Sequence, residues 1–405
     1  MKLFRTKKRV FFGVAGRQRG TRGMALLLVA TTLMFMTVIV TEINFSSRVR
    51  LLQAANARDE VAAASLAETG INMYRLILVG NMQLANNQRL SSYASMIGVN
   101  LGDALWQMLP NINTSLLRML FVSDGDVDEE EFKQFQTEGI SDEVREASRE
   151  MGGVFEDRNF LDFEGDFLAE VVDEDSKVNV SLIATYGNVP LMENPTAIQL
   201  FGLMSGEEHD QWFYDQDIDR WELISNLLDW VDADNMRSGA QGGYEDDLYN
   251  RLESPYLAKN AGLDTKEELR LIEGWQDDVY DRFAEHLTLF GSGKININTA
   301  SPEVITGLLK AYVSPSPTDS QCQIILQELA EYKFLASFRK PKDFTNWLSG
   351  QGVNVEPALQ KAVGTKSTVF TVVSSGLVGD ATQTITAVMD FAKNKEGRIV
   401  FWRVE

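Results

Sequence analysis

The chain has 405 residues, is 44% hydrophobic, sets 38 basic against 58 acidic side chains for a formal net charge of −20, and holds one cysteine. That excess of acid argues against an electrostatic hold on nucleic acid, which needs a cationic footprint, and Cys322 alone excludes an internal disulfide. The length suffices for two or three domains, whose stability must come from packed cores or bound ions.

Residues 1–23 carry Lys2, Arg5, Lys7, Lys8, Arg9, Arg17, Arg19 and Arg22 with no acid, and lead into the uncharged run Met24–Thr41. As helix that run covers roughly 27 Å, close to a hydrocarbon core of about 30 Å, so it can span a bilayer with little tilt. The positive-inside rule keeps the basic end cytoplasmic and places everything after Thr41 outside the cytoplasm. A secretory signal would have a shorter apolar core and end at small residues; here Thr41 runs on into Glu42 and further helical sequence. No proline precedes Pro110, and Leu66, Gly70, Met73 and Ile77 share one face opposite Arg58, Asp59, Glu60 and Glu68. One helix is predicted from Met24 to about Leu78, its first third in lipid and the rest amphipathic.

The junction RGMALLLVA, with Gly23 last in the basic leader and Met24 first in the apolar helix, resembles the leader junction of type IV prepilins and type II secretion pseudopilins. Most members of that family carry a glutamate at the fifth mature residue. Here the residue is Leu28, and lack of the acid is the mark of the minor pseudopilin K of the general secretion pathway. The resemblance implies cleavage between Gly23 and Met24 by prepilin peptidase and N-methylation of Met24.

Residues 80–160 are polar and acidic and read as helical pieces or an insertion. Asp124, Asp126 and Asp128 imitate the start of an EF-hand, but Glu129 replaces its glycine and Phe135 its last glutamate, which favours a solvated face. In DFLAEVVDEDSKVNVSLI, period-two alternation at Phe167, Ala169 and Val171, then at Val178 and Val180, predicts two strands joined at a turn over Asp173 to Ser176. Trp221, Ile224, Leu227, Leu228 and Val231 define an apolar helix face that ends in an acidic, glycine-rich loop, and Leu269, Ile272 and Trp275 mark another helix face. In GSGKININTASPEVITGLL, Ile295 and Ile297 alternate, Ser301 is the N-cap and Pro302 opens a helix. Residues 366–405 read as three short strands with turns at Gly376 to Asp380 and Asn394 to Gly397.

No catalytic constellation emerges, and the chain reads as a non-enzyme. His209 and His286, the only two histidines, have no second ligand or nucleophile at a useful spacing. GSGKI lacks the hydroxyl and the upstream glycine of a phosphate loop. ININTASPEVITGLL also resembles the opening of helix-hairpin-helix domains, so the alternative function is a membrane-anchored nucleic-acid-binding protein. The hairpin glycines do not follow, and firm heparin retention at low salt would be needed to revive it.

DWVDADN, YEDDLY and EELRLIEG resemble the K family's own signature. The implied fold is α+β: a long N-terminal transmembrane and amphipathic helix, and a pseudopilin antiparallel sheet interrupted by a large inserted α-helical (SAM-like) domain. The expected organisation is leader 1–23, helix 24–79, acidic segment 80–165, first strands 166–185, inserted helical domain 186–290, strand and second helical subdomain 291–365, and last strands 366–405. Dense carboxylates with three nearby glycines suit calcium, which accepts six to eight oxygens from flexible loops, as well as they suit a solvated acidic turn. The resemblance implies the calcium reading. The ligands expected are Asp232, Asp234, Glu245 and Asp247, with Asp229 and Asp246 as alternates. Further implications are a single-pass inner-membrane protein with a periplasmic C-terminal domain, partnership with minor pseudopilins I and J and other pseudopilins, and a place at the tip of the pseudopilus, with Leu28 as its determinant.

Overall fold

A computed structural model describes residues 21–86, 105–109, 111–116, 164–187, 189–239 and 242–405. The EF-hand-like acids Asp124, Asp126 and Asp128 lie outside the described residues. Two units separate, Met1–Val61 and Ala62–Glu405.

Helix α1 (Thr21–Asn86), whose residues up to Val61 belong to the first unit, starts ahead of the Gly23-Met24 junction. Its apolar run is exposed along its length, with Met24 at 73% and Leu28 at 65%. The hydroxyls within it are all turned back onto helix carbonyls: Thr31 and Thr32 donate to Leu28 O at 2.9 Å, and Thr37 and Thr41 to Met34 O and Thr37 O at 2.7 Å. That leaves no hydroxyl hydrogen of the run unpaired, as a bilayer-spanning helix would require. Among the described residues this is one helix long and apolar enough to cross a membrane.

In the second unit, a five-stranded antiparallel sheet has the order β1-β2-β7-β8-β9. Its strands are β1 (Asn111–Asn113), β2 (Asp166–Asp173), β7 (Val369–Val378), β8 (Ala381–Asp390) and β9 (Arg398–Val404). Phe167, Ala169 and Val171 are buried on one side of β2, as the alternation predicts. They meet Ala63, Leu66, Ala67, Ile71, Tyr74 and Leu78 of α1 together with Phe370, Val372, Ile385, Ala387 and Met389. The buried stripe of the helix is rotated from the predicted one: Leu66 and Gly70 lie inside, whereas Met73 and Ile77 are only partly buried beside Ile71, Tyr74 and Leu78. Small residues set the approach. A Cβ on Gly376 would meet Ala63 O at 2.0 Å, and one on Gly70 would meet Ser374 Oγ at 2.2 Å. Gly376, expected in a turn, therefore lies within β7 where α1 crosses, and the turn is at Gly379. Asn111–Asn113, inside the stretch expected to be helical, is the edge strand paired with Leu168–Glu170.

Between β2 and β7 the chain builds a helical body with a single core running from Val178 to Val363. The expected hairpin at Asp173 to Ser176 does not form. Glu174–Ser176 is a 3-10 turn, Val178–Asn179 (β3) pairs in parallel with Leu287–Thr288 (β4), and Val180 opens another 3-10 helix. The reason is polar: Glu174 and Asp175, each 5% exposed, take their partners from distant segments. Ile295–Asn296 (β5) likewise pairs in parallel with Val363–Gly364 (β6). Helices α3 (Pro195–Leu203) and α8 (Pro302–Tyr312) cross at Gly202 and Gly307, where a Cβ on Gly202 would meet Gly307 O at 2.3 Å. Ser301 caps α8 as predicted, accepting from Val304 N at 3.3 Å. The stretches 186–290 and 291–365 thus share one core. Leu269, Ile272 and Trp275 are fully buried, but on a short 3-10 helix (Lys266–Leu271) and the turn after it, not on an α-helix.

Candidate metal centre

Helix α5 (Arg220–Val231) delivers the first carboxylates. Asp219 caps it by accepting from Trp221 N at 2.8 Å, and Leu223, Ile224, Leu227, Trp230 and Val231 hold it in the core. The helix stops at Asp232, whose backbone is extended, and the chain leaves as a loop closed by an antiparallel bridge between Met236 and Tyr244. Arg237 N donates to Gly243 O at 3.1 Å and Glu245 N to Asn235 O at 3.3 Å. Gly242 at φ +58 and Gly243 at φ +104 turn the chain back in a conformation that favours glycine.

This return brings carboxylate oxygens of Asp232, Asp234 and Glu245 within 4.8 Å of one another. Glu245 is 1% exposed, and neither of its oxygens has a hydrogen-bond partner; Asp232 Oδ1 and Asp229 Oδ2 are also buried without one. Asp229 Oδ1 accepts from Ser238 N at 2.8 Å and Asp234 Oδ1 from Met236 N at 2.8 Å. Burial and then the charges of Asp232, Asp229, Asp234 and Asp246 push Glu245 up to about 8. Burial, then Asp234 and Asp229, push Asp232 up to about 6. Asp229 is raised mainly by burial. Arg237 in the loop lowers Asp229, but no basic side chain offsets the rise at Asp232 or Glu245, and orphaned buried oxygens beside mutually repelling acids fit a hard cation.

Three of the expected ligands meet here, with Asp229 one helical turn behind. Asp247 and Asp246 turn to the backbone instead: Asp247 Oδ2 accepts from Tyr244 N at 3.4 Å, and Asp246 Oδ1 from Ala258 N at 3.0 Å. The sequence reading missed Asn260. At φ +48 it donates to Asp234 O at 2.8 Å and to Asn235 Oδ1 at 2.6 Å, while its own Oδ1 is buried and unpartnered. Its signal was an asparagine just ahead of Ala-Gly, a residue type suited to the left-handed region. Behind the loop, Trp230, Tyr249 and Tyr256 pack with ring centroids 5.2 to 6.1 Å apart. The histidines lie elsewhere: His209 packs on Phe283 at 5.1 Å, and His286 Nδ1 is 3.4 Å from Ser301 Oγ.

Residues 204–292, which include this loop, match the family model described as type II secretion system (T2SS), protein K. Type II secretion system protein K of Aeromonas hydrophila is 25% identical over 190 residues, covering 46% of this chain and 55% of the relative. The protein of the same name from Pectobacterium carotovorum is 30% identical over 171 residues, covering 40% and 49%, and that from Pseudomonas aeruginosa is 30% identical over 179 residues, covering 44% and 48%. The chain spans about half the length of the curated relatives it matches. A solved structure, the GspK-GspI-GspJ complex of the enterotoxigenic Escherichia coli type 2 secretion system, matches with a TM-score of 0.42 and 15% identity, over 60% of this chain and 80% of the matched one. The likeness to type II secretion system protein K is shown on these segments.

Proposed function

We propose that the chain is a minor pseudopilin of the K type, non-catalytic, anchored in the inner membrane with its body in the periplasm. It acts at the tip of the type II secretion pseudopilus, where it supports pseudopilus initiation and export of folded proteins across the outer membrane. The observation that carries this reading is the architecture of α1: an apolar run able to span a bilayer continues without a break into the stripe that packs on an antiparallel sheet. A helix whose first part is an apolar run and whose later turns pack in a core ties membrane insertion to subunit packing, which a filament subunit requires. The helical body with its protein K match interrupts that sheet.

The leader junction is the direct test. Prepilin peptidase should cut between Gly23 and Met24 and leave the apolar helix in place, so mass spectrometry of the membrane-isolated protein should find methylated Met24 as the N-terminus. Retained Met1, or a cut beyond the apolar helix, would remove the assignment. Partnership with minor pseudopilins I and J belongs to the same reading and calls for their co-purification with the full chain.

In this reading Asp232, Asp234 and Glu245 hold calcium, with Asp229 behind them, and the ion supplies the charge that lets the acids stay ionised while buried. It fastens the two ends of the loop that α5 begins and Glu245 closes. Binding to the folded state alone stabilises it by mass action.

A further inference from the structure

One surface of the helical body runs against the charge of the rest of the chain. Helix α9 (Asp319–Leu335) ends in Phe334 and Leu335, which are 89% and 83% exposed. From Lys333 to Lys342 the sequence is KFLASFRKPK, without an acid, in a chain of net charge −20. Arg339, Lys340 and Lys342 are exposed, as is Lys366, and among the described residues no ion pair holds any of them.

The backbone that presents these groups is fixed. Phe338 is buried, stacked on Tyr332 at 4.5 Å and edge-on to Phe344 at 5.3 Å. Asn298 brackets it: Nδ2 donates to Phe338 O and Oδ1 accepts from Phe338 N, both at 3.0 Å. Thr365, the neighbour of Lys366, donates to Arg339 O at 3.1 Å. Two large apolar side chains are therefore held out in water beside four unpaired cations. Burial of Phe338 anchors the segment without covering Phe334 or Leu335. Lys333 is half-buried, and desolvation lowers its ammonium to about 8, a cost that an anion at the patch would offset.

We infer that Phe334 and Leu335, with Arg339, Lys340, Lys342 and Lys366, dock the helical body onto an anionic bilayer surface. The pair is exposed to solvent, which suits insertion between interchangeable lipids. Cations beside it meet headgroup phosphates, each adding a modest, salt-sensitive attraction. The acidic remainder of the body is repelled by the same surface, so contact is confined to this patch. The inference requires membrane anchoring by α1 but not pilus assembly, so it can fail while the pseudopilin reading stands.

The test uses the full chain in nanodiscs of phosphatidylcholine alone or mixed with phosphatidylglycerol. Ala336→Cys, beside the apolar pair, is labelled with a polarity-sensitive fluorophore; Cys322 is 1% exposed and does not compete. Tyr214→Cys, at an 82% exposed position on another helix, is the control. In the anionic discs the label at 336 should shift to the blue and be quenched by brominated acyl chains, and the control label should not. Arg339→Glu with Lys340→Glu, or Phe334→Ser with Leu335→Ser, should reduce the bound fraction about tenfold, and added salt should do the same. A label at 336 that reports water in both lipids overturns the proposal. So does a shift that depends on adding another pseudopilin and not on lipid charge, which would make the patch a protein-docking site.

Discussion

Glu245 has two buried oxygens with no partner and three aspartates around it, and its acidity follows from that setting. Its pKa is raised from 4.5 to about 8, and that of Asp232 from 3.8 to about 6. An acid whose folded pKa lies above its unfolded value contributes stability that is complete below the unfolded pKa and is lost as pH rises through the folded one. The metal-free protein should therefore weaken steadily from about pH 5 to about pH 8. Calcium competes with the protons that neutralise these acids, so it binds best where they are lost. The melting temperature in calcium minus that in chelator should be small at about pH 5 and widen toward pH 8. Asp232→Ala with Asp234→Ala should erase most of that difference. A difference that is absent at every pH would leave the loop as a solvated acidic turn. At the other end of the chain, under the proposed cleavage after Gly23, Leu28 would stand where most pseudopilins place a carboxylate, which in the family picture neutralises the N-terminal ammonium of a neighbour within the bilayer. A tip subunit has no neighbour ahead of it, so Leu28→Glu should still assemble with minor pseudopilins I and J; loss of that complex would contradict the tip argument.

Helix α1 and strand β7 show how an element can be legible while its contacts are not. The absence of proline and the uncharged run made the helix plain, and alternation at Phe167, Ala169 and Val171 made β2 plain. The helix face was misplaced because alanine and glycine, which carry little hydrophobic signal, form its closest contacts: Ala63 and Ala67 are fully buried, and Gly376 admits Ala63 O where a Cβ would lie 2.0 Å away. Gly376→Ala should therefore force the helix off the sheet and cost about 3 kcal/mol or more, at the upper end for overpacking, read as a lower denaturation midpoint with an unchanged slope. An equal change at Gly350, where a Cβ meets nothing within 4 Å, should be nearly silent. The acid trio was legible for a related reason. Carboxylates flanking a glycine-rich loop announce a return of the chain, yet Asp246 and Asp247 look the same in sequence as Glu245 and face the backbone instead. Which acid turns inward goes with the pairing of Met236 with Tyr244, an isolated bridge with no period to read.

The whole molecule depends on how the chain leaves the sheet after β2 and re-enters it at β7, and three consecutive acids govern both crossings. Asp173 Oδ1 accepts from Asp175 N at 2.9 Å, and its Oδ2 takes Asn296 Nδ2 at 3.4 Å and the hydroxyls of Thr299 and Ser367. Glu174 receives Lys177 Nζ at 3.1 Å, Thr371 Oγ1 at 2.8 Å and the hydroxyl of Thr288. Asp175 Oδ2 accepts from Thr368 N at 2.7 Å, Thr368 Oγ1 at 2.9 Å and Val369 N at 3.2 Å, at the start of β7. Apart from the local bonds from Asp175 N and Lys177, these join segments more than a hundred residues apart, which is why DEDS reads in sequence as a hairpin turn and serves in the fold as a seam between the sheet and the helical body. Burial of the seam pushes Asp173 up to about 7, against the hydrogen bonds from Ser367 and Thr299 that lower it. By the same sign rule its contribution is complete near pH 4 and fades as pH rises through about 7. Asp175→Ala would strip Thr368 N and Val369 N of their acceptor in a buried place, at a cost of about 1–3 kcal/mol for each group left unpaired. The helical body should then loosen from the sheet before either core melts, which limited proteolysis would detect as cuts near residues 174–177 and 365–368. Asp173→Asn keeps the shape and removes the titration, so it should take Asp173's share out of the decline in stability as pH rises through about 7, leaving that of Glu245 and Asp232, without adding those cuts. An Asp175→Ala protein as resistant to protease as the parent would show that the parallel pairs β3 with β4 and β5 with β6 hold the crossings by themselves.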